Sequence, residues 1–348
     1  MGVTVKEFGK TAQGAEVKLY TIENANGTKA GVTDFGAILV NFIVKGADGR
    51  FRDVVLGFDS VESYLNDGNC FGATVGPVAN RTANATFSID GVEYHLDAND
   101  NENNLHTSHT DGFQKRVWKA LPGENSVTFS LMKKDMELGH PGNMQVSVTY
   151  TLTDEDALEI HYHADSDRKT IINLTNHTYF NLNGHDAQEI YEETLWMKAS
   201  CYTPVVKGAI PTGEIAPVAG TPMDFTTAKK VGADIYADFE QIKLVNGYDH
   251  NWVADDWNGE LQLIARVEDA KAGLAMETYT DLPGVQFYAG NFVGNEVGKG
   301  GCLYGPRKGL CLETQYYPNS ANEANFPKPL FGPGKAYDSV TVYKFIKI

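Results

Sequence analysis

The run Val146–Tyr162, VSVTYTLTDEDALEIHY, sets Val146, Val148, Tyr150 and Leu152 on one side of an extended chain, and after Thr153–Asp156 does the same with Leu158, Ile160 and Tyr162. Apolar residues at every second position are the signature of a half-buried strand, and two such runs across a short polar break predict a hairpin. The pattern recurs outward from this run. Phe87-Ser88-Ile89 and Val92–Leu96 flank Asp90-Gly91, a dipeptide that readily takes the positive φ of a tight turn, and Ala37–Val44 and Phe51–Leu56 flank Ala47-Asp48-Gly49. Helix signals are few. Asp59-Ser60-Val61-Glu62 has the spacing of an N-terminal cap, and Val231, Ile235 and Phe239 recur at helical spacing after Thr226-Thr227. Many strands without alternating strand–helix units predict an all-β fold, a large antiparallel β-sandwich with few short helices. No Pro/Ser-rich linker, charge block or fixed-period repeat divides the sequence, so residues 1–348 are read as one domain.

Composition narrows the function. The chain carries 29 Lys+Arg against 45 Asp+Glu, a formal charge of −16, which disfavours a nucleic-acid or anionic-membrane surface and suits a neutral small-molecule partner. With 42% hydrophobic and 21% charged residues it can build a sizeable core. No apolar run approaches the ~18 residues of a membrane span. Met1–Lys10 lacks the order of a secretory signal, and Lys6 stands where a myristoylation motif needs Ser or Thr, so a cytoplasmic location is expected. Cys70, Cys201, Cys302 and Cys311 have no metal-ligand spacing, and Cys311, between Leu310 and Leu312, reads as a small buried apolar residue. The glycines of Gly290–Gly301 spell no phosphate-cradling motif. No cofactor and no metal are expected.

Several polar residues stand out from their surroundings. His161 and His163 share one face of a strand, without a third ligand at a telling spacing, and read as exposed strand residues. His177 lies in NLTNHTYFNLNG (Asn173–Gly184), a run crowded with amides and hydroxyls that would fix an imidazole for proton transfer or simply form a structural polar network. Glu313 interrupts the apolar strand Gly309–Gln315. A carboxylate there is costly unless paired, for example with Arg307, or functional, and desolvation would raise its pKa toward that of a useful base. Arg81 follows Gly72–Asn80, His106 follows Asn103–Leu105, and Asp249 sits in a turn-like, aromatic-flanked setting; polar side chains beside aromatics are what a sugar site needs, although a lone Arg or Asp on a loop is more often a solvated surface charge.

Taken in order, these segments closely resemble the galactose mutarotase (aldose 1-epimerase) family. The resemblance is carried by GATVGPVANR (Gly72–Arg81), NNLH (Asn103–His106), NLTNHTYFNLNG (Asn173–Gly184), IPTGEIAPVAGTPMDF (Ile210–Phe225), NGYDHNW (Asn246–Trp252), PGVQFYAGNF (Pro283–Phe292) and LCLETQYYPNSAN (Leu310–Asn322). Seven collinear blocks along the whole chain are far more specific than any single motif. The resemblance implies a β-sandwich with an open sugar cleft and cofactor-free interconversion of the α and β anomers of a free aldohexose. It assigns Glu313 as catalytic base and His177 as catalytic acid, and Asn80, Arg81, His106, Asp249 and Gln286 to sugar binding. Two departures bear on substrate preference: Thr107-Ser108 stands where the family commonly has Gly-Gly, and Pro77 where it commonly has Arg.

Anomerisation requires removal of the C1 hydroxyl proton and protonation of the departing ring oxygen O5. Glu313, ionised, is expected at the first and His177, protonated, at the second. A non-catalytic sugar-binding module would need no acid–base pair, and a glycoside hydrolase would normally call for two carboxylates across the bond.

Overall fold

The hairpin read from Val146–Tyr162 forms as the strands Met144–Leu152 and Ala157–Ser166, with Val148 opposite Tyr162 and Tyr150 opposite Ile160, in the computed structural model, which describes residues 2–348. It lies within a nine-stranded antiparallel sheet. The spatial order is Lys119–Pro122, Ser126–Lys133, Met144–Leu152, Ala157–Ser166, Tyr337–Lys347, Leu274–Thr280, Gln262–Asp269, Thr194–Met197 and Lys229–Lys230. The alternation sends Val146, Val148, Tyr150, Ile160 and Tyr162 inward, each fully buried.

Two five-stranded sheets share this core. One is N-terminal, running in order Gly2–Lys10, Glu16–Glu23, Lys29–Thr33, Ile38–Lys45 and Phe51–Asp53, and contributes Ile22, Phe42 and Val44. The other runs Ala216–Pro217, Cys201–Thr203, Asp249–Val253, Gly284–Tyr288 and Cys311–Gln315, and contributes Trp252, Val285, Phe287 and Leu312. Polar contacts fix this third sheet against the nine-stranded one: the Tyr343 hydroxyl donates to the carbonyl of Leu312 at 2.9 Å, and the Thr314 and Thr341 hydroxyls meet across the interface. Phe287 stacks on Tyr248 with centroids 5.2 Å apart and meets Phe225 edge-on at 5.7 Å. Ring pairs of this kind add roughly 0.5–1.5 kcal/mol each beyond their buried area, and so hold rigid the sheet that carries the site.

The other two hairpins form as read, Thr86–Ile89 with Val92–His95 and Ile38–Lys45 with Phe51–Asp53. Helix is confined to Val61–Leu65 and Glu240–Leu244 apart from short 3-10 turns. The expectation around residues 231–239 is corrected: Val231 and Ile235 are buried from successive turns, and the helix starts only after Phe239. The first helix also starts differently, because its N-cap is Ser60, while Asp59 accepts the backbone N–H of Gly300. His161 and His163 lie partly exposed on one face, as their alternation predicts, and both bond Asp338 of the neighbouring strand at 3.0 and 2.9 Å. No helix among the described residues is long and apolar enough to cross a membrane.

Candidate active site

Three adjacent strands present alternate residues to one face. In the strands Asp249–Val253, Gly284–Tyr288 and Cys311–Gln315, Asn251 stands opposite Gln286 and Gln286 opposite Glu313, while Asp249 stands opposite Tyr288 and Tyr288 opposite Cys311. Their odd-even partners Trp252, Val285, Phe287 and Leu312 fill the core. The period of two therefore builds a polar, buried face on one side of strands whose other side enters the core.

Loops bring the remaining groups over that face. His177 follows the short strand Thr175–Asn176 and is clamped through its backbone: its N–H donates to the carbonyl of Ala73 at 2.9 Å, and its carbonyl accepts from the N–H of Gly72 at 3.0 Å. Gly72 has φ +68° and passes so close to Leu39 that a Cβ would lie 2.1 Å from that carbonyl oxygen, so only glycine permits this clamp. Asn80 and His106 hold each other. The His106 N–H donates to the Asn80 carbonyl at 3.0 Å and the Asn80 N–H donates to Nδ1 of His106 at 3.2 Å. Because a backbone N–H can only donate, Nδ1 of the neutral ring is the acceptor and Nε2 carries the proton, ready to donate to an oxygen.

These residues line a cavity of about 210 Å³, together with Cys70, His109, Tyr179 and Tyr288 and, at its mouth, the exposed Phe292. On its floor Nε2 of His177 lies 3.6 Å from Oε1 of Glu313, both side chains being buried. Arg81 reaches the same cavity. Its Nε donates to Asp100 at 2.9 Å and its Nη1 lies 3.9 Å from Asp249.

Burial dominates the electrostatics. It pushes the Glu313 carboxyl well above the carboxylate range, helped by the like charge of Asp249 and opposed by Arg81. It pulls the His177 imidazolium down to about 4 and that of His106 well below its ordinary value. Asp249 is raised by burial too, with Arg81 and a hydrogen bond from Gln286 acting against it. In the free enzyme desolvation thus favours protonated Glu313 beside neutral His177, the reverse of the charge states expected from sequence.

Of the residues singled out in the sequence, Glu313, His177, Asn80, Arg81, His106 and Asp249 all line this one cavity. Gln286 lies behind it, donating from Nε2 to Asp249 at 2.7 Å and accepting from Gln315 at 3.3 Å. Arg307 is not the partner of Glu313; it bonds Asn291 and the carbonyl of Asn246 instead, and Oε2 of Glu313 has no protein partner. Of the two departures, Thr107 is tied to the residue that follows Pro77: its Oγ1 donates to the carbonyl of Val78 at 2.9 Å and accepts its N–H at 3.0 Å. His109, Tyr179, Tyr288 and Phe292 were not singled out, although Tyr179 and Tyr288 sit in quoted blocks beside His177 and Gln286. Alternation along Gly284–Tyr288 could have placed Tyr288 on the face of Gln286.

His106, His177 and Glu313 bring donor atoms within 4.8 Å of one another, the size of a three-ligand metal set. The Asn80 N–H on His106 argues against that use, because a metal at Nε2 would require an imidazolate or the loss of this bond.

The sequence profile of the family described as aldose 1-epimerase matches residues 18–344. The chain is 42% identical over 315 residues to human galactose mutarotase, covering 90% of each, and 36% identical over 336 residues to the aldose 1-epimerase of Escherichia coli, covering 96% of each. A solved structure of an aldose epimerase homologue from C. elegans superposes with a TM-score of 0.87 at 31% identity, covering 95% of this chain and 99% of that one. A profile spanning nearly the whole sequence, relatives well above 30% identity and a shared architecture together place the chain in the aldose 1-epimerase family.

Proposed function

We propose that one proton passing between Glu313 and His177 opens and recloses the ring of a free aldohexose held in this cavity. The chain is an isomerase of the aldose 1-epimerase family and interconverts the anomers of aldoses. The observation that carries the residue assignment is the 3.6 Å approach of Nε2 of His177 to Oε1 of Glu313 inside a buried, polar cavity. The two oxygens that exchange protons in the reaction, O1 and O5, are both bonded to C1, so the base and the acid that serve them must be neighbours.

The steps balance on that pair. Carboxylate Glu313 takes the proton of the C1 hydroxyl, C1–O1 becomes a carbonyl, the C1–O5 bond breaks toward O5, and O5 takes the proton from Nε2 of His177. Rotation about C1–C2 presents the other carbonyl face, and reversal of both transfers closes the ring as the other anomer. The pair holds one proton throughout. While the sugar is open the pair is protonated Glu313 and neutral His177, the form that burial favours, so the dry site offsets part of the cost of ring opening. The Nε2–H of His106 faces the same region as a hydrogen-bond donor, and Arg81, Asn80 and Asp249 hold ring hydroxyls so that the open chain cannot leave before it recloses.

The preferred substrates are free galactose or glucose. The test is polarimetry on fresh α-D-galactose combined with mass analysis of the product. The expected outcome is decay of the excess optical rotation with no mass change in the wild type, and turnover about 10²–10⁴-fold lower after removal of either group of the pair.

A further inference from the structure

We propose that Cys311 is a positioning residue for this proton transfer: its Sγ, 3.6 Å from Nδ1 of His177, holds the imidazole with Nε2 turned to Glu313 and the sugar oxygen. The inference rests on the role proposed above for His177. Its origin is the strand itself. Cys311 and Glu313 are two residues apart in Cys311–Gln315, so both project onto the cleft face, while Leu312 between them enters the core. One strand thus carries the base and also the group that faces the far nitrogen of the acid. The sequence alone gives Cys311 only a packing role; the fold gives it a partner.

Besides the residue's own backbone, the polar partner of that nitrogen is the sulfur of Cys311. The ring is boxed by His106 edge-on at 5.3 Å, by Tyr179 at 5.1 Å and by Tyr288 at 6.2 Å between centroids. The two tyrosine hydroxyls are engaged elsewhere: that of Tyr179 donates to the carbonyl of Asn69 at 2.9 Å, and that of Tyr288 accepts the N–H of Phe292 at 2.9 Å. Cys311 is fully buried, and burial pushes its thiol well above the ordinary range, so it keeps its proton. Nδ1 keeps its proton in the imidazolium and in the neutral ring that remains once Nε2 has protonated O5, so the sulfur accepts Nδ1–H in both states, and it does so weakly. A carboxylate in its place would stabilise the imidazolium and hold back the proton that O5 must receive. Sulfur therefore orients the ring while leaving its charge free to change.

The test compares Cys311→Ala and Cys311→Ser with the wild type, using steady-state polarimetry and nitrogen-15 NMR of histidine-labelled enzyme, with the His177 signals assigned by their loss in His177→Asn. In Cys311→Ala kcat is expected to fall about tenfold or more, the low end of what losing the partner that orients a functional histidine costs, with KM changed by no more than about twofold. The His177 signals should move from a single tautomer toward a mixture. Cys311→Ser, whose hydroxyl keeps a donor and acceptor there, should restore the single tautomer and most of the turnover. Either a kcat within about twofold of wild type or an unchanged His177 tautomer in Cys311→Ala overturns the inference. If Cys311→Ala does not fold, Cys311→Ser decides alone: a single retained tautomer supports it and a mixture overturns it. Full turnover by His177→Asn would instead remove the role on which the inference rests.

Discussion

Glu313 and His177 face each other in a site dry enough to prefer them uncharged, and this sets the pH dependence of the reaction. The active form holds one proton on the pair. As pH falls toward about 4, where burial has placed His177, a second proton adds and no base remains. As pH rises past the raised value of Glu313, the last proton leaves and no acid remains. The kcat/KM profile should therefore be a broad bell whose acid limb lies near 4 and whose alkaline limb lies well above the carboxylate range; both limbs belong to the pair rather than to either residue. His177→Asn, which can hold a hydrogen bond to O5 but cannot supply its proton, should lower kcat about 10²–10⁴-fold and remove the alkaline limb, leaving an acid limb at the raised value of Glu313. A wild-type profile without an acid limb near pH 4, or a fully active His177→Asn, would contradict this. At this scale the candidate residues were legible, because a carboxylate in an apolar strand and a histidine among amides are unusual locally. Their ionisation was not legible, since it depends on burial that only the assembled sheet and loops create.

At the scale of elements, the strands explain which residues reach the cleft and which support it. Gln286 stands between Asp249 and Gln315 in a hydrogen-bond chain across three strands, so it fixes the carboxylate proposed to meet the sugar. Gln286→Leu leaves Asp249 buried without that donor, and is expected to raise KM roughly 5- to 100-fold with a smaller change in kcat, readable in the same steady-state assay. An unchanged KM would place the sugar away from Asp249. In the loop after His106, Thr107 holds φ +63° and offsets that strain with its two hydrogen bonds to Val78. Thr107→Val removes both bonds inside a buried contact and should cost about 1–3 kcal/mol in denaturant unfolding, and loosen the loop that presents His106. The three hairpins were legible because each joins period-two runs across a turn sequence. The segment around residues 231–239 was misread as helix because Val231 and Ile235, each buried from its own turn, happen to fall four residues apart. Spacing alone cannot separate that from a helix face.

Across the whole molecule, the acidic surface and the arrangement of Arg81 argue for an uncharged sugar. The net charge is −16, and the cation in the cavity is already flanked by Asp100 and Asp249. A phosphate dianion would meet Asp249 and Glu313 there without a free cation to pair with, and the outer field would add a smaller penalty that salt screens. Glucose 6-phosphate should accordingly be turned over with a kcat/KM roughly ten- to several-hundred-fold below that of free glucose, at both low and high salt. Phosphorylated sugar as the better substrate at both would refute the assignment of Arg81 and Asp249. The strand Cys311–Gln315 and the loop after Thr175–Asn176 bring Glu313 and His177 together in the cavity, and the proposed mechanism requires Glu313 as its base. The direct measurement is the kcat of Glu313→Gln on fresh α-D-galactose by polarimetry, with galactose affinity measured by calorimetry on the same protein. Glutamine keeps the shape and cannot take the proton, so turnover should drop about 10²–10⁴-fold while affinity stays within a few-fold. Turnover within about tenfold of the wild type, less than such a group typically supplies, would contradict it.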